Sequence, residues 1–592
     1  FRRHWKPLTV LILGVWLTGG ATYLLFAKSS TALMGRAKSV SIFSQDPNAP
    51  RDIAMGFVRS IEASLTMLNY HGDYRTRHNA GMSGEPMLDF TSAVLFALGF
   101  AFALYHWKRL RYLILLLWFF GYMSASIFAI EAPQAHRAIG IIPPVFLFMG
   151  VFLDRSRRLL REVFGRPGTW LAVLAFAAIM IPVARTNFAK YFETVPAFDS
   201  NCCEGAKFIH SLGPDTEHFV LTAYLWQGHP PFMAFAPDFD GAFYYTAADV
   251  VPMRMDTDRD VAYTMILEYP DLLPTLQYFY PDGELVESTH PKYGPMFKGW
   301  KVSREAIQAT RGLTARYDGL RRKDADLDLA WSDATGSLPG RRVDVRWNGT
   351  LWVPHRGRYT LYLESTGPAE FLLNNHRLRS QGGETSLTAT LHGGLNRVRA
   401  AARRVGPGSR LRVSWSSPEG VNHYRIPKSK YNRPFGKEPI PEHLFFTYPE
   451  PRGLLETYYH DAAWQGPIVH QQVQPALLFV FMGRPYGLNA PVSAEYRGWL
   501  EIDEPGTYRF SCFQTGYGEV KIDGTTVVRN GAPPAGYRDP GPVVPSLNLT
   551  RGRHRIRVRW GVAHGAAFKL WWTPPGGERA IIPPGALIPD TE

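Results

Sequence analysis

Two runs of polar residues carry side chains suited to holding an anion. The first is His71, Asp73, Arg75, Arg77, His78 and Asn79; the second is Glu131, Gln134, His136 and Arg137. Arginine offers phosphate a planar fork of donors, and histidine adds a donor or a proton acceptor. Together they could hold the phosphate of a lipid-linked molecule. Arg137 is the first candidate, with His136, Glu131, Arg77, His78 and Asn79 around it. The same residue types also anchor the ends of membrane spans at headgroups.

Other residues invite shorter readings. Trp571 and Trp572 could stack on a sugar ring, although neighbours in a strand face opposite sides, so at least one belongs to a core. Arg551, Arg553, Arg555, Arg557 and Arg559 alternate with other residues and share one strand face. That face could meet anionic glycan or headgroups, or serve as a solvated, aggregation-resistant surface. Asp238 and Asp240 read as a turn before they read as a cation site. Three cysteines, Cys202, Cys203 and Cys512, build no disulfide framework and have no histidine cluster beside them, so no metal site is expected.

The elements that must position these groups begin with five apolar segments: Leu8–Phe26, Phe90–Trp107, Tyr112–Ile130, Ala138–Leu153 and Thr169–Asn187. A hydrocarbon core of about 30 Å takes roughly 20 helical residues, so each reads as a span of an α-helical transmembrane bundle. Basic clusters at Arg2–Lys6, Lys108–Arg111 and Arg155–Arg166 mark the cytoplasmic side. Both polar runs and everything after Asn187 then lie outside, periplasmic or extracellular to the cytoplasmic membrane. Between the first two spans, Ile53, Phe57, Ile61, Leu65 and Leu68 paint one face of a helix, either interfacial or packed on its own loop. Pro143–Pro144 should kink the fourth span and turn it towards protein. The chain opens on Phe1 and leads straight into a span, so it reads as the C-terminal part of a longer protein.

The formal charge of +14 follows membrane topology and strand faces instead of one patch, which argues against nucleic acid as a partner. Glycine (54) and proline (46) concentrate in the polar tail, as many short strands and tight turns require. Residues 191–305 read as a small α/β domain, with a helix at Glu204–Leu212 and strands at Phe219–Ala223 and Val261–Glu268. An internal repeat follows. WNGTLWVPHRGRYTLYLESTGPAEFLLNN aligns without gaps on YRGWLEIDEPGTYRFSCFQTGYGEVKIDG, pairing Gly349 with Gly498, Leu351 with Leu500 and Tyr359 with Tyr508. Period-two alternation with glycine turns predicts two antiparallel β-sandwiches, at 306–435 and 445–592.

Two resemblances join these readings. MLNYHGDYRTRHNAGMSGEPMLD, a span, and EAPQAHRAIGIIPPVFLFMG resemble the second half of polytopic GT-C glycosyltransferases of the protein O-mannosyltransferase and aminoarabinose transferase type, over residues 1–190. The resemblance implies transfer of a sugar from a polyprenyl-phosphate donor to a cell-envelope glycan or protein acceptor at the bilayer's outer face. The family's catalytic acid belongs to an earlier loop, so it is expected upstream of Phe1, and a divalent cation is a candidate cofactor of a full-length enzyme. LLETYY, GTYRF, VKIDGTTVV, LTRGRHRIRVRW and KLWWTPPGG resemble the protective-antigen fourteen-kilodalton domain family, which implies carbohydrate binding. Neither copy has the Asp-Asp pair through which adhesin members hold calcium. The alternative is a non-enzymatic, membrane-anchored glycan-binding protein.

Overall fold

The computed structural model describes residues 53–73, 84–129, 132–222, 229–239, 241–290, 294–331, 342–420, 430–481, 485–488, 491–531, 542–561 and 567–591. The chain divides into two compact units, Phe1–Asp199 and Ser200–Glu592. The first is helical and the second is rich in β-sheet.

In the first unit, α1 (Ile53–Thr66) forms where the apolar pattern places a helix. Its inner face differs from that pattern. Ser60 and Ser64 are buried while Leu65 is 41% exposed. Small residues let the helix approach closely, and the Ser64 and Ser126 hydroxyls meet at 2.9 Å. α2 (Phe90–Tyr105) starts at Asp89, whose carboxylate accepts from Ser92 N at 3.1 Å, an N-cap bond of the usual kind. Gly99 in α2 admits the next helices: a Cβ there would lie 1.8 Å from the Phe148 carbonyl oxygen. Phe96, Phe119 and Phe148 fill the space around that contact, with ring centroids 5.8–6.0 Å apart.

α3 (Leu110–Ile127) buries Tyr112, Leu115, Leu116, Phe119, Met123 and Ser126 at helical spacing. In α4 (Ile142–Phe164) the proline pair has a different effect from the expected kink. Pro143 and Pro144 sit in the first turn, where the missing N–H groups have no helical acceptor in any case. They open the helix instead of bending it, and Pro144, Val145, Phe148 and Met149 are buried. α5 (Arg166–Ala189) follows. Among the described residues, three stretches are long and apolar enough to cross a membrane: Leu110–Ile127, Ile139–Phe164 and Arg166–Phe192. Phe90–Tyr105 is apolar but shorter, and the expected span Leu8–Phe26 lies outside the described residues.

α6 (Val195–Leu212) spans the boundary, and in the second unit it leads into a five-stranded sheet ordered β2-β1-β3-β5-β4. Its strands are β1 (Thr216–Leu221), β2 (Ala242–Tyr244), β3 (Asp260–Ile266), β4 (Glu284–His290) and β5 (Gly294–Val302). β1 runs parallel to β2 and β3, and β5 is antiparallel to β3 and β4. Ala206, Phe208 and Ile209 of α6 cluster with Val220, Ala262, Ile266 and Phe297. On other strand positions Phe219, Leu221, Tyr263 and Met265 join a larger core.

The repeated segments form two pairs of sheets. The first pair has seven and five strands, and so does the second. In the first copy Val343–Val353 pairs with Gly394–Val405, and Trp347, Leu351, Tyr359, Leu361, Phe371 and Trp415 are buried in one cluster. In the second copy Ser493–Ile502 pairs with Gly552–Gly561, and Tyr496, Leu500, Tyr508, Phe510, Ile556 and Trp560 are buried in another. Gly349 and Gly498 occupy the same place in each. A short closing strand, Phe445–Phe446 or Leu587–Pro589, passes beside them. A Cβ would fall 2.5 Å from the Phe446 carbonyl oxygen or 2.3 Å from that of Ile588.

Candidate functional site

The second unit holds a groove between its two repeats. Its floor and walls come from strand faces that point away from both cores. From the first copy, Asn374 and Asn375 stand in the turn after strand Ala369–Leu373, and Arg397 and Arg399 project from strand Gly394–Val405. From the second, Trp499 and Arg553 come from the paired strands Ser493–Ile502 and Gly552–Gly561. Glu450 and Asp590 complete a cavity of about 600 Å³. A second cavity of about 320 Å³ continues from it, sharing Asn374, Asn375, Asp590 and Thr591.

Local bonding makes this groove rigid. Gly393 N donates to Gln471 O at 2.9 Å and Val473 N donates to Gly393 O at 3.2 Å, so backbone bonds join the two copies beside the groove. Asn374 has φ +50°, a conformation asparagine tolerates better than most residues. Its side chain holds that turn. Oδ1 accepts from Arg397 N at 2.8 Å, while Nδ2 donates to Asn396 Oδ1 at 2.7 Å and to His392 Nε2 at 3.2 Å. Burial pushes His392 down to about 4. The ring is therefore neutral near pH 7, with Nδ1–H donating to Gly393 O at 2.9 Å and Nε2 left to accept. Arg452 holds Glu450 and Glu501 at 2.8 and 2.7 Å. Trp499 remains 36% exposed on a strand whose flanking Gly498 and Leu500 are buried. An indole ring with side-chain amides and guanidinium groups nearby offers stacking and hydrogen bonding together.

The sequence-predicted residues fall elsewhere. His136 is exposed and Arg137 half-buried, in the turn that leads from Gln134 towards α4. The first polar run enters the same place: the Asp73 carboxylate, fully buried, accepts from Ala135 N at 3.1 Å. Gly84 N donates to Asp73 O at 3.2 Å, closing the base of that loop. Glu131, Arg75, Arg77, His78, Asn79 and Asp240 lie outside the described residues. Trp571 and Trp572 are half-buried and point to opposite sides. Trp571 stacks under Arg579 at 4.8 Å and faces Asp271, whereas Trp572 leans on Tyr508 with centroids 5.3 Å apart. Arg553, Arg555, Arg557 and Arg559 share the outer face of their strand, and Arg551 precedes it. The three cysteines form no disulfide, and no cluster of metal-ligating side chains occurs among the described residues.

No protein-family model and no curated protein matches the chain. Among solved structures it is similar to a PA14 sugar-binding domain from an RTX adhesin, at 15% identity over 23% of this chain and 98% of that one, with a TM-score of 0.19. The PA14 domain of the antifreeze protein MpAFP matches at 13% identity over 23% and 90%, also with a TM-score of 0.19. An anti-sigma factor domain-containing protein from Clostridium clariflavum matches at 16% identity over 47% and 99%, with a TM-score of 0.20.

The groove residues Trp499, Asn374, Asn375, Arg397 and Arg399 were not candidates by sequence. One signal was present: Trp499 stands at an outward position of an alternating strand, where a large aromatic ring has no core to fill.

Proposed function

We propose that the β-rich unit binds glycan and that the apolar helices tether it to a membrane, with the groove on the outer side of the cytoplasmic membrane. In this reading the unit comprises a small α/β domain at 191–305 and two β-sandwiches at 306–435 and 445–592. The observation that carries the reading is Trp499, left half-open in a rigid cavity of about 600 Å³ beside Asn374 and Asn375. A pyranose ring presents an apolar face to stack on indole and hydroxyls to meet amides. Binding of the full-length chain, in detergent micelles, to a glycan array tests it. Retention by the native chain and its loss in Trp499→Ala support the reading; a blank array for the native chain overturns it.

A second reading assigns residues 1–190 to the transfer of a sugar from a polyprenyl-phosphate donor. It is supported by the Asp73–Ala135 bond, which brings the bases of both polar runs together. In this reading Arg137 and His136, with Glu131, Arg77, His78 and Asn79, meet the lipid phosphate. The leaving phosphate needs cationic stabilisation as the acceptor hydroxyl attacks. Unchanged turnover in Arg137→Ala would remove Arg137 from that role.

A further inference from the structure

We infer that the groove selects acidic polysaccharide, its anionic groups held by arginines that form no ion pair among the described residues. The inference rests on the glycan reading above and names the class of glycan.

Arg397 and Arg399 are alternate residues of one strand, so their Cα atoms are about 7 Å apart on the same face. Both line the larger cavity, and neither forms an ion pair among the described residues. The acids of the groove are matched elsewhere: Glu450 to Arg452 at 2.8 Å and Asp590 to Arg555 at 3.8 Å. Arg397 Nε is buried and meets no acceptor among the described residues. Burial first, and then the neighbouring charge of Arg399, disfavour its protonated form and outweigh the opposing pull of Glu450, whose carboxylate is bonded to Arg452. Two like charges held side by side, one with a buried donor unsatisfied, are offset most directly by a bound anion.

The positive surface also continues. Arg497 lines the second cavity and a third of about 380 Å³ on the outer face of the second copy. There Arg557, also without an ion pair among the described residues, stands with Arg555 and Lys521, while the single acid of the lining, Glu495, pairs with Arg497 at 3.7 Å and Arg559 at 2.8 Å. The three cavities are linked by shared lining residues, Asn374 and Asp590 between the first two and Arg497 between the last two, which offers more than one sugar unit a place. Trp499 and the two asparagines favour a polysaccharide over a bilayer surface, because they sit in a concave channel that a flat array of headgroups cannot enter.

The test compares polymers that share a backbone and differ in charge: polygalacturonate with its methyl ester, and dextran sulfate with dextran. The full-length chain in neutral detergent micelles is measured against each immobilised polymer. Expected are binding to at least one acidic member, roughly tenfold or greater preference over its neutral counterpart, and weakening with salt. R397Q/R399Q should lose most of that preference, and the exposed single variant R399Q part of it. Equal binding of acidic and neutral partners, or an undiminished preference in both variants, overturns the inference while leaving glycan binding intact. Failure to bind any of the four polymers overturns it as well. Only a native chain that also binds nothing on the wider array overturns the glycan reading itself.

Discussion

His554 and Asp523 occupy the turn region of the second copy that Asn396 and Asn374 occupy in the first. His554 Nδ1 donates to Asp523 Oδ2 at 2.6 Å and Nε2 donates to Thr550 O at 2.8 Å. Only the imidazolium can donate from both nitrogens. Burial opposes that charge, but Asp523 and the Thr550 carbonyl outweigh it, and the pKa is raised. The pair therefore contributes its full stability below the unfolded histidine value, about 6.5, and loses it as pH rises through the higher folded value. The Tm of the native chain should fall over that window. Copying the first copy's neutral solution, as D523N/H554N, should flatten the dependence, and an unchanged pH profile would assign the loss to another group. A second residue has a sharper structural role. The fully buried Asp324 Oδ2 accepts from Tyr317 Oη and Trp347 Nε1, both at 2.7 Å, while Oδ1 accepts from Arg322 Nε at 2.7 Å. Asp324→Ala would orphan two buried donors and should cost about 2–4 kcal/mol in chemical denaturation.

Strands and helices differ in how plainly the sequence announces them. Alternation placed Tyr359, Leu361 and Leu363 on one face, and all three are fully buried. The glycine pair Gly349 and Gly498 was legible as a repeat, and its physical reason is a closing strand whose carbonyl leaves no room for a Cβ. Gly498→Ala should therefore cost about 1–3 kcal/mol, as overpacking against rigid backbone does. It should also free the Leu587–Pro589 strand for early proteolysis; a C-terminus as resistant as in the native chain would show that the strand can shift. The helical unit was legible in outline, because long apolar runs are hard to mistake. The inner face of α1 was not, since Ser60 and Ser64 bury through packing and a hydroxyl contact that hydrophobic periodicity does not register. The groove was hidden for another reason. Its residues come from both copies, and neither copy alone contains it.

At the scale of the whole β-rich unit, the question is whether the α/β sheet and the two copies unfold separately. Their cores are not separate. One buried cluster runs from Phe219 and Tyr263 of the α/β sheet through Trp347 and Trp415 of the first copy to Leu478 and Val480 of the second. Tyr269 ties the far ends: its hydroxyl donates to Tyr245 O at 2.8 Å and accepts from Val480 N at 3.1 Å. Gln474 adds a second tie, accepting from Ala248 N at 3.1 Å through Oε1. Shared apolar surface makes opening of one part expose the next, so the unit should lose its slowest-exchanging amides together. Tyr269→Phe keeps the packing but removes the acceptor of a buried N–H, at a cost of about 1–3 kcal/mol. In hydrogen exchange of the full-length chain, that variant should speed exchange at Val480 and also across 246–251 and the groove-side strand 468–474. Acceleration confined to Val480 and its immediate neighbours would show that the copies are coupled to the α/β sheet by proximity alone.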